Sequence, residues 1–123
     1  MFWLLGQNSQ LKLHNKILIY KAILRPIWTY GIQLWGTAAK SNVEILQRFQ
    51  SKVLRQIAKA PYYVTNVQIH RDLQIRTVNE EIKAQATKYQ NKIRNHPNLL
   101  VSELSTSSRF TRLRRKTPND LAI

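Results

Sequence analysis

Four prolines and only three glycines divide this 123-residue chain into runs with helical periodicity. The prolines stand at positions 26, 61, 97 and 118. Because proline lacks an amide hydrogen and clashes with the preceding turn, each should end or kink a helix, or lie in its first turn. We therefore predict a first helix that Ser9 caps and that reaches about Leu24. A second helix is expected from Ile27 to Trp35, where Gly36 stops it.

Three capping-box patterns predict three further helices. The boxes begin at Ser41, Thr65 and Thr77, and their helices should end near Lys59, Leu73 and Asn95. No run alternates apolar and polar residues for long enough to predict a strand. The predicted fold class is therefore all-α, a small bundle of about four to five helices. This helical region spans residues 1–104, and a basic, loosely ordered tail spans 105–123.

The charge of the chain is strongly one-sided. Twenty Lys and Arg residues face six acidic residues, a net charge of +14, and such an excess favours a polyanionic partner such as nucleic acid or an anionic membrane surface. Hydrophobic residues make up 43% of the chain, which is enough for a core. The absence of cysteine excludes disulfides, zinc knuckles and thiol nucleophiles. The apolar stretch 17–35 carries two basic residues and a proline, which argues against a membrane span.

The helix predicted after Ser41 has two distinct faces. One apolar stripe at helical spacing is expected in the core, formed by Ile45, Leu46, Phe49, Val53, Ile57 and Ala60. Beside it lie four cations, which we call the basic arc: Arg48, Lys52, Arg55 and Lys59. Charge runs usually form a solvated face, but such faces normally mix signs and this one does not. The unmixed charge favours contact with nucleic-acid phosphates.

The other predicted helices differ in how much apolar surface they carry. The last one has a single stripe expected in the core, formed by Val78, Ile82, Ala86, Tyr89 and Ile93. The first one has two, formed by Leu11, Leu18 and Ala22 and by Leu13, Ile17, Tyr20 and Leu24. The aromatics Trp28, Tyr30 and Trp35 add to this surplus and are expected to pack more readily than to stack on bases. We interpret the surplus as belonging to a larger protein.

The remaining cations and the acidic residues complete the site predictions. Secondary phosphate contacts are expected at Lys12, Lys16, Arg112, Arg114 and Arg115. The tail run 109–116 is equally typical of a nuclear-localisation or RNA-contacting segment and of a solvated tail. Among the acids only Glu80 and Glu81 are close in sequence, and successive helical residues point about 100° apart. No catalytic residue, metal site or cofactor is therefore predicted in this chain.

The residues themselves resemble a known family. The resemblance rests mainly on the run from Asn15 to Gly36, which contains Pro-Ile-Trp-Thr-Tyr-Gly-Ile-Gln-Leu-Trp-Gly. It continues through residues 45–55, 60–66 and 69–73 and the His96-Pro97-Asn98 turn. Over nearly its whole length the chain is thereby similar to the segment that follows the palm in reverse transcriptases of jockey-like non-LTR retrotransposons.

The resemblance implies the thumb and C-terminal region of an RNA-directed DNA polymerase. In that family the thumb is helical and grips the template–primer duplex, while the catalytic aspartates and their Mg²⁺ belong to the palm, upstream. The implied partners are RNA or DNA template–primer, through its phosphates, and the palm and fingers of the polymerase, with no membrane. The chain departs from the family at Arg76, where proline is common, and at Thr37, where a cysteine often follows Trp-Gly.

Two other functions stay open on the residues alone. The first is a protein-interaction fragment that docks through its Trp and Leu surface, and the second is a domesticated small helical protein with no nucleic-acid role. Membrane-surface binding ranks last, because the basic arc and the apolar stripe lie side by side on one helix that also has to build a core.

Overall fold

The computed structural model describes residues 2–6, 8–104 and 121, and within them it contains helices and turns but no strand. The helices are α1 (Phe2–Leu5), α2 (Leu13–Ile19), the π-helix π1 (Tyr20–Leu24), α3 (Arg25–Thr29), α4 (Ile32–Trp35), α5 (Lys40–Ala58), α6 (Asn66–Leu73), α7 (Val78–Arg94) and α8 (Leu99–Glu103). The all-α prediction is confirmed. None of these helices combines the length and the hydropathy that crossing a bilayer would require. The predicted tail lies outside the described residues, apart from Leu121.

The sequence predicted that Pro26 ends or kinks the first helix and suits the first turn of the next; it does lie in such a first turn, but the helical run continues past it. The helical backbone runs through α2, π1 and α3 without leaving the right-handed region, and Pro26 lies in the first turn of α3. A π-helical segment directly before a proline widens the turn in which its ring would otherwise clash with a carbonyl. The break comes instead at Gly31, whose φ of 64° is the left-handed conformation that glycine adopts without strain.

The start of the first helix was also predicted wrongly. Ser9 does not cap it, because its hydroxyl accepts from the amide of Leu11 in a local turn and α2 begins only after Lys12. The interval instead brings Lys16 back to α1, where its ammonium donates to the carbonyl of Gly6 at 2.9 Å. A cation at the last carbonyls of a helix satisfies an acceptor that has no intrahelical partner.

The helices predicted from capping boxes are present. α6 begins as predicted, and the Thr65 hydroxyl accepts from the amide of Gln68 at 3.3 Å. α7 follows Thr77 as predicted. α5 begins slightly before its box, because the amide of Val43 already donates to the carbonyl of Ala39. α8 was not predicted, although the Asn98 side chain caps it by accepting from the amide of Leu100.

The chain divides into two compact units, each built from two segments. The first consists of Met1–Tyr30 and Glu44–Val78, and the second of Gly31–Val43 and Asn79–Ile123. The core of the first unit combines residues from α1, π1, α5 and α6 with the segment that follows α6: Leu5, Tyr20, Val53, Leu54, Ile57, Ile69 and Ile75. Of the two apolar sides of the first helix, the one with Ile17, Tyr20 and Leu24 faces this core. Leu18 stays half exposed.

The buried face of α5 is rotated from the one that apolar periodicity predicted. Val53 and Ile57 are buried as expected, but Ile45 and Phe49 are 60% and 42% exposed. The residues that replace them in the interior include Gln50, which is only 1% exposed. Polar side chains on the inner face explain the error, because a buried amide is acceptable when its hydrogen bonds are made.

Gln50 makes the hydrogen bonds that its burial requires. Its amide nitrogen donates to the hydroxyl of Tyr20 at 3.0 Å and to the carbonyl of Arg76 at 2.9 Å. Tyr20 is itself 1% exposed and opens π1, while Arg76 lies between α6 and α7. One side chain of α5 thus joins two segments that are distant from it in sequence.

Gln47, one turn earlier, extends this network. Its side-chain oxygen accepts from the amide of Val78 at 2.8 Å, which satisfies the first amide of α7. Its nitrogen lies 3.2 Å from Nε2 of His70, and Nδ1 of His70 lies 2.9 Å from the carbonyl of Ile75. Because a carbonyl only accepts, these contacts assign the hydrogen of the His70 ring to Nδ1 and leave Nε2 as the acceptor.

The second unit buries the inner face of α7 together with α4. Ile82, Ala86 and Ile93 are buried as predicted, whereas Tyr89 is 40% exposed. Gly36 ends α4 at a close approach, because a Cβ there would lie 3.2 Å from the Ile82 side chain and 2.6 Å from a carbonyl of α4. Glycine is therefore required here because a Cβ has no room, and it lies at the helix end that the sequence predicted.

Replacing Gln50 by alanine should destabilise the chain strongly. The change removes the hydrogen bonds that Gln50 donates to the Tyr20 hydroxyl and the Arg76 carbonyl and opens a cavity, so we expect a loss of about 2–4 kcal/mol in the free energy of unfolding. Urea denaturation followed by circular dichroism measures it. Gln68→Ala, at an exposed position of α6, is the control and should stay within about 0.5 kcal/mol of the parent. Equal losses in both variants would contradict the assignment.

Candidate nucleic-acid interface

Two members of the basic arc lie on the outward face of α5. Arg48 and Lys52 are exposed and are one helical turn apart, a rise of about 6 Å along the axis. The rotation of α5 places the exposed side chains of Ile45 and Phe49 on the same side of the helix as these cations. The outward face therefore mixes cationic and apolar groups, where the sequence had predicted only charge.

Lys59 lies immediately after the last residue of α5, in a strained conformation. Its φ is 51°, and the amide of Ala60 donates back to the carbonyl of Arg55, a helix end that usually carries glycine. A lysine there costs about 1 kcal/mol of backbone strain relative to glycine. The side chain is exposed, so no packing in the described part of the chain accounts for it.

Arg55 faces the loop between α5 and α6 and is half-buried there. Its Nε donates to the side-chain oxygen of Asn66 at 2.8 Å, one terminal nitrogen donates to the carbonyl of Pro61 at 3.3 Å, and the other donates to the carbonyl of Val64. Three acceptors satisfy the planar fork of the guanidinium, a geometry that lysine cannot reproduce. In this structure Arg55 holds a loop, whereas its predicted phosphate contact is untested.

The two secondary lysines have different environments. Lys12 is exposed at the N-terminal end of α2. Lys16 is 2% exposed, and its ammonium is bound to the Gly6 carbonyl, so this conformation does not present it to a phosphate. The predicted tail contacts at Arg112, Arg114 and Arg115 lie outside the described residues.

The acidic residues in the described ranges do not gather. No three His, Asp or Glu side chains among residues 2–6, 8–104 and 121 come together as metal ligands. Glu81 is buried and accepts from the side-chain nitrogen of Gln85 at 2.9 Å, while its neighbour Glu80 is exposed. The two carboxylates thus lie in different environments, one in solvent and one in the interior.

Sequence reasoning missed two exposed aromatics beside the basic arc. Tyr62 and Tyr63 follow Pro61 in the loop that Arg55 holds, and they are 94% and 74% exposed. Their rings contact each other edge to face, with centroids 5.7 Å apart and planes at 80°. The signal was present, because two aromatics directly after a proline in a turn have no helical face on which to be buried.

Comparison with known proteins identifies the relatives of the chain. It is 42% identical over 120 residues, 98% of its length, to a probable RNA-directed DNA polymerase from the transposon X-element of Drosophila melanogaster. It is 40% identical over 114 residues to a probable RNA-directed DNA polymerase from transposon BS of the same species. An RNA-directed DNA polymerase from the mobile element jockey, also of Drosophila melanogaster, is 36% identical over an alignment of 130 positions that covers 98% of the chain.

The chain is homologous to a segment of the polymerases of jockey-like non-LTR transposons. The family resemblance carried by the Asn15 to Gly36 run is thereby confirmed. The chain spans only a small part of these relatives, 13% of the X-element and BS polymerases and 14% of the jockey polymerase. No family model and no solved structure matches the chain.

In this polymerase segment, replacing Arg55 by lysine should loosen the loop between α5 and α6. Lysine keeps the charge but cannot reach three acceptors, so we expect faster hydrogen exchange across residues 60–65 and a loss of about 1–3 kcal/mol in stability. Native-state hydrogen exchange measures both. Arg48→Lys makes the same change on the exposed face of α5 and should alter neither quantity. Unchanged exchange in Arg55→Lys would show that the loop does not depend on the guanidinium.

Proposed function

We propose that this segment is the thumb-region part of a non-LTR transposon RNA-directed DNA polymerase and binds the phosphate backbone of its template–primer. Two observations support this. The relatives are RNA-directed DNA polymerases, enzymes that must hold a nucleic-acid duplex. In addition, the stretch from Ile45 to Arg71 contains no acidic residue, and α5 exposes Arg48 and Lys52 within it.

The contribution of the segment is electrostatic. Cations that neutralise phosphates release condensed counterions, so affinity falls steeply with salt and depends little on base sequence. We assign the principal contacts to Arg48, Lys52 and Lys59, and a secondary one to Lys12. Arg55 and Lys16 are left out of this set, because their cationic groups already bind backbone carbonyls. The tail arginines keep their proposed secondary role.

Catalysis belongs, in this proposal, to other parts of the polymerase. The Mg²⁺ that the family resemblance implies needs converging carboxylates. Glu80 and Glu81 do not supply them, because one is exposed and the other is buried against Gln85. We therefore assign binding and positioning, and no catalytic step, to the described residues of this segment.

A second role is docking to the rest of the polymerase. The helical run α2–π1–α3 exposes large apolar side chains along its length, at Leu13, Leu18, Ile23 and Ile27. The relatives are several times longer than this chain, which gives such side chains a partner within the same polypeptide. The docking side chains lie on α2, π1 and α3, whereas the principal phosphate contacts lie on α5 and directly after it, so the two roles are compatible.

The salt dependence of binding tests the phosphate contacts. Replacing Arg48, Lys52 and Lys59 together by glutamine should make the slope of log K against log salt shallower by roughly 2–3, since each duplex phosphate contact contributes about 0.9. Fluorescence anisotropy with a labelled RNA–DNA hybrid duplex measures the slope. The charge-matched control replaces the exposed Lys83, Lys88 and Lys92 of α7 and should change it by less than about one contact. Equal changes would show that net charge, and not the basic arc, governs binding.

Lys59 allows stability and binding to be separated. Lys59→Gly relieves the positive φ and should stabilise the chain by about 0.5–1 kcal/mol, yet weaken duplex binding by removing a phosphate contact. Gln74 has the same conformation, with φ of 53° at the end of α6, but is uncharged. Gln74→Gly should therefore give the same gain in stability and unchanged affinity. Thermal unfolding and anisotropy together measure the pair, and undiminished binding by Lys59→Gly would remove Lys59 from the interface.

A further inference from the structure

The turn after Pro61 carries two aromatic side chains that are not buried, Tyr62 and Tyr63. The amide of Val64 donates to the carbonyl of Pro61 at 3.1 Å, which closes a β-turn with the two tyrosines at its central positions. Both side chains therefore project away from the chain ends that the turn joins. At 94% and 74% exposure they contribute little to the core, although Tyr buries a large apolar area where it packs.

Hydrogen bonds from the Arg55 side chain hold the backbone of this turn. Arg55 donates to the carbonyls of Pro61 and Val64, the two residues that flank the tyrosines, and to the side chain of Asn66. The ring of Pro61 fixes one φ angle in addition. The turn thus presents two aromatic rings on a supported backbone, and the entropy cost of ordering such a group on binding is low.

The charge of the sequence around the turn indicates which kind of partner it binds. Lys59 is three residues before Tyr62, and the nearest acidic residues in sequence are Glu44 and Asp72, on either side of a stretch with only positive charge. Protein interfaces are depleted of charged residues around their aromatic core, unlike this uniformly cationic stretch. A polyanion whose units carry flat π faces is the complementary ligand, because bases stack on aromatic side chains while phosphates contact cations.

We propose that Tyr62 and Tyr63 stack on unpaired bases of the bound nucleic acid, where a duplex held by the basic arc passes into single strand. The inference rests on the proposed function, since the arc brings the strand to the turn. The paired bases of a duplex are stacked on one another, so the turn engages only an unpaired base. The edge-to-face ring pair leaves ring surface open for that contact.

The test compares two probes on the full 123-residue chain. One is a blunt RNA–DNA hybrid duplex, and the other is the same duplex with a short single-stranded template extension that carries 2-aminopurine at its first unpaired position. The parent chain should bind the extended probe about 5- to 30-fold more tightly and quench the 2-aminopurine by stacking. The double variant Tyr62→Ser/Tyr63→Ser should lose both effects while its affinity for the blunt duplex and its salt slope stay unchanged.

The double variant Tyr62→Phe/Tyr63→Phe is the matched control. It keeps the rings and removes the hydroxyls, so it should retain the preference and the quenching. If the parent chain binds both probes with equal, salt-dependent affinity, stacking is overturned and backbone binding stands. If neither probe binds with salt dependence, the proposed function fails together with the inference. If the serine variant keeps the preference and the quenching, the turn does not contact bases, which leaves it to a protein partner.

Discussion

The buried amide of Gln50 is the interaction on which the arrangement of the first unit depends. It donates to Tyr20 in π1 and to the backbone at Arg76, so it joins α5 to segments on both sides of it in sequence. A buried amide tolerates only the rotation of α5 at which both acceptors are in reach, since an unmade hydrogen bond costs about 1–3 kcal/mol. Non-directional apolar contacts would leave that rotation far less defined. The same rotation turns Arg48 and Lys52 outward, and thus sets the candidate interface.

The helices could be predicted from the sequence because their signals are local. Thr65 and Thr77 precede α6 and α7 as capping residues should, and prolines and glycines limited where helices could run. The orientation of α5 could not, because apolar periodicity assigns Phe49 to the core and gives no reason to bury Gln50, whereas in the structure Gln50 is buried and Phe49 is 42% exposed. The orientation of α5 depends on whether the Gln50 amide reaches hydrogen-bond acceptors, and these belong to residues 30 and 26 positions away in sequence. The Pro26 error is similar, since a π-helical turn that accommodates the ring has no local sequence signal.

The structure gives the predicted phosphate-contacting cations different environments, which the sequence did not distinguish. Lys16 and Arg55 were assigned to phosphates by their charge, and in this structure both donate to carbonyl oxygens of this chain. The sequence alone does not distinguish a cation that binds a phosphate from one that binds a carbonyl, because both acceptors offer an oxygen with partial or full negative charge. The distinction needs the tertiary structure, which brings the Gly6 and Val64 carbonyls to these side chains. Exposed cations such as Arg48 keep the predicted role open because no carbonyl competes for them in the described structure.

The orientation of Arg55 changes the charge on the outer face of α5. Arg55 lies between Lys52 and Lys59 in sequence, and like charges at these spacings repel by a few tenths of a kcal/mol per pair. By turning its guanidinium into the loop it moves one charge off the outer face and binds the Pro61 and Val64 carbonyls with it. Lys52 and Lys59, seven residues apart, then stay outside without a third cation between them. If both proposals hold, α5 holds the strand through its cations and supports the turn that stacks on bases, and Arg55 links the two functions.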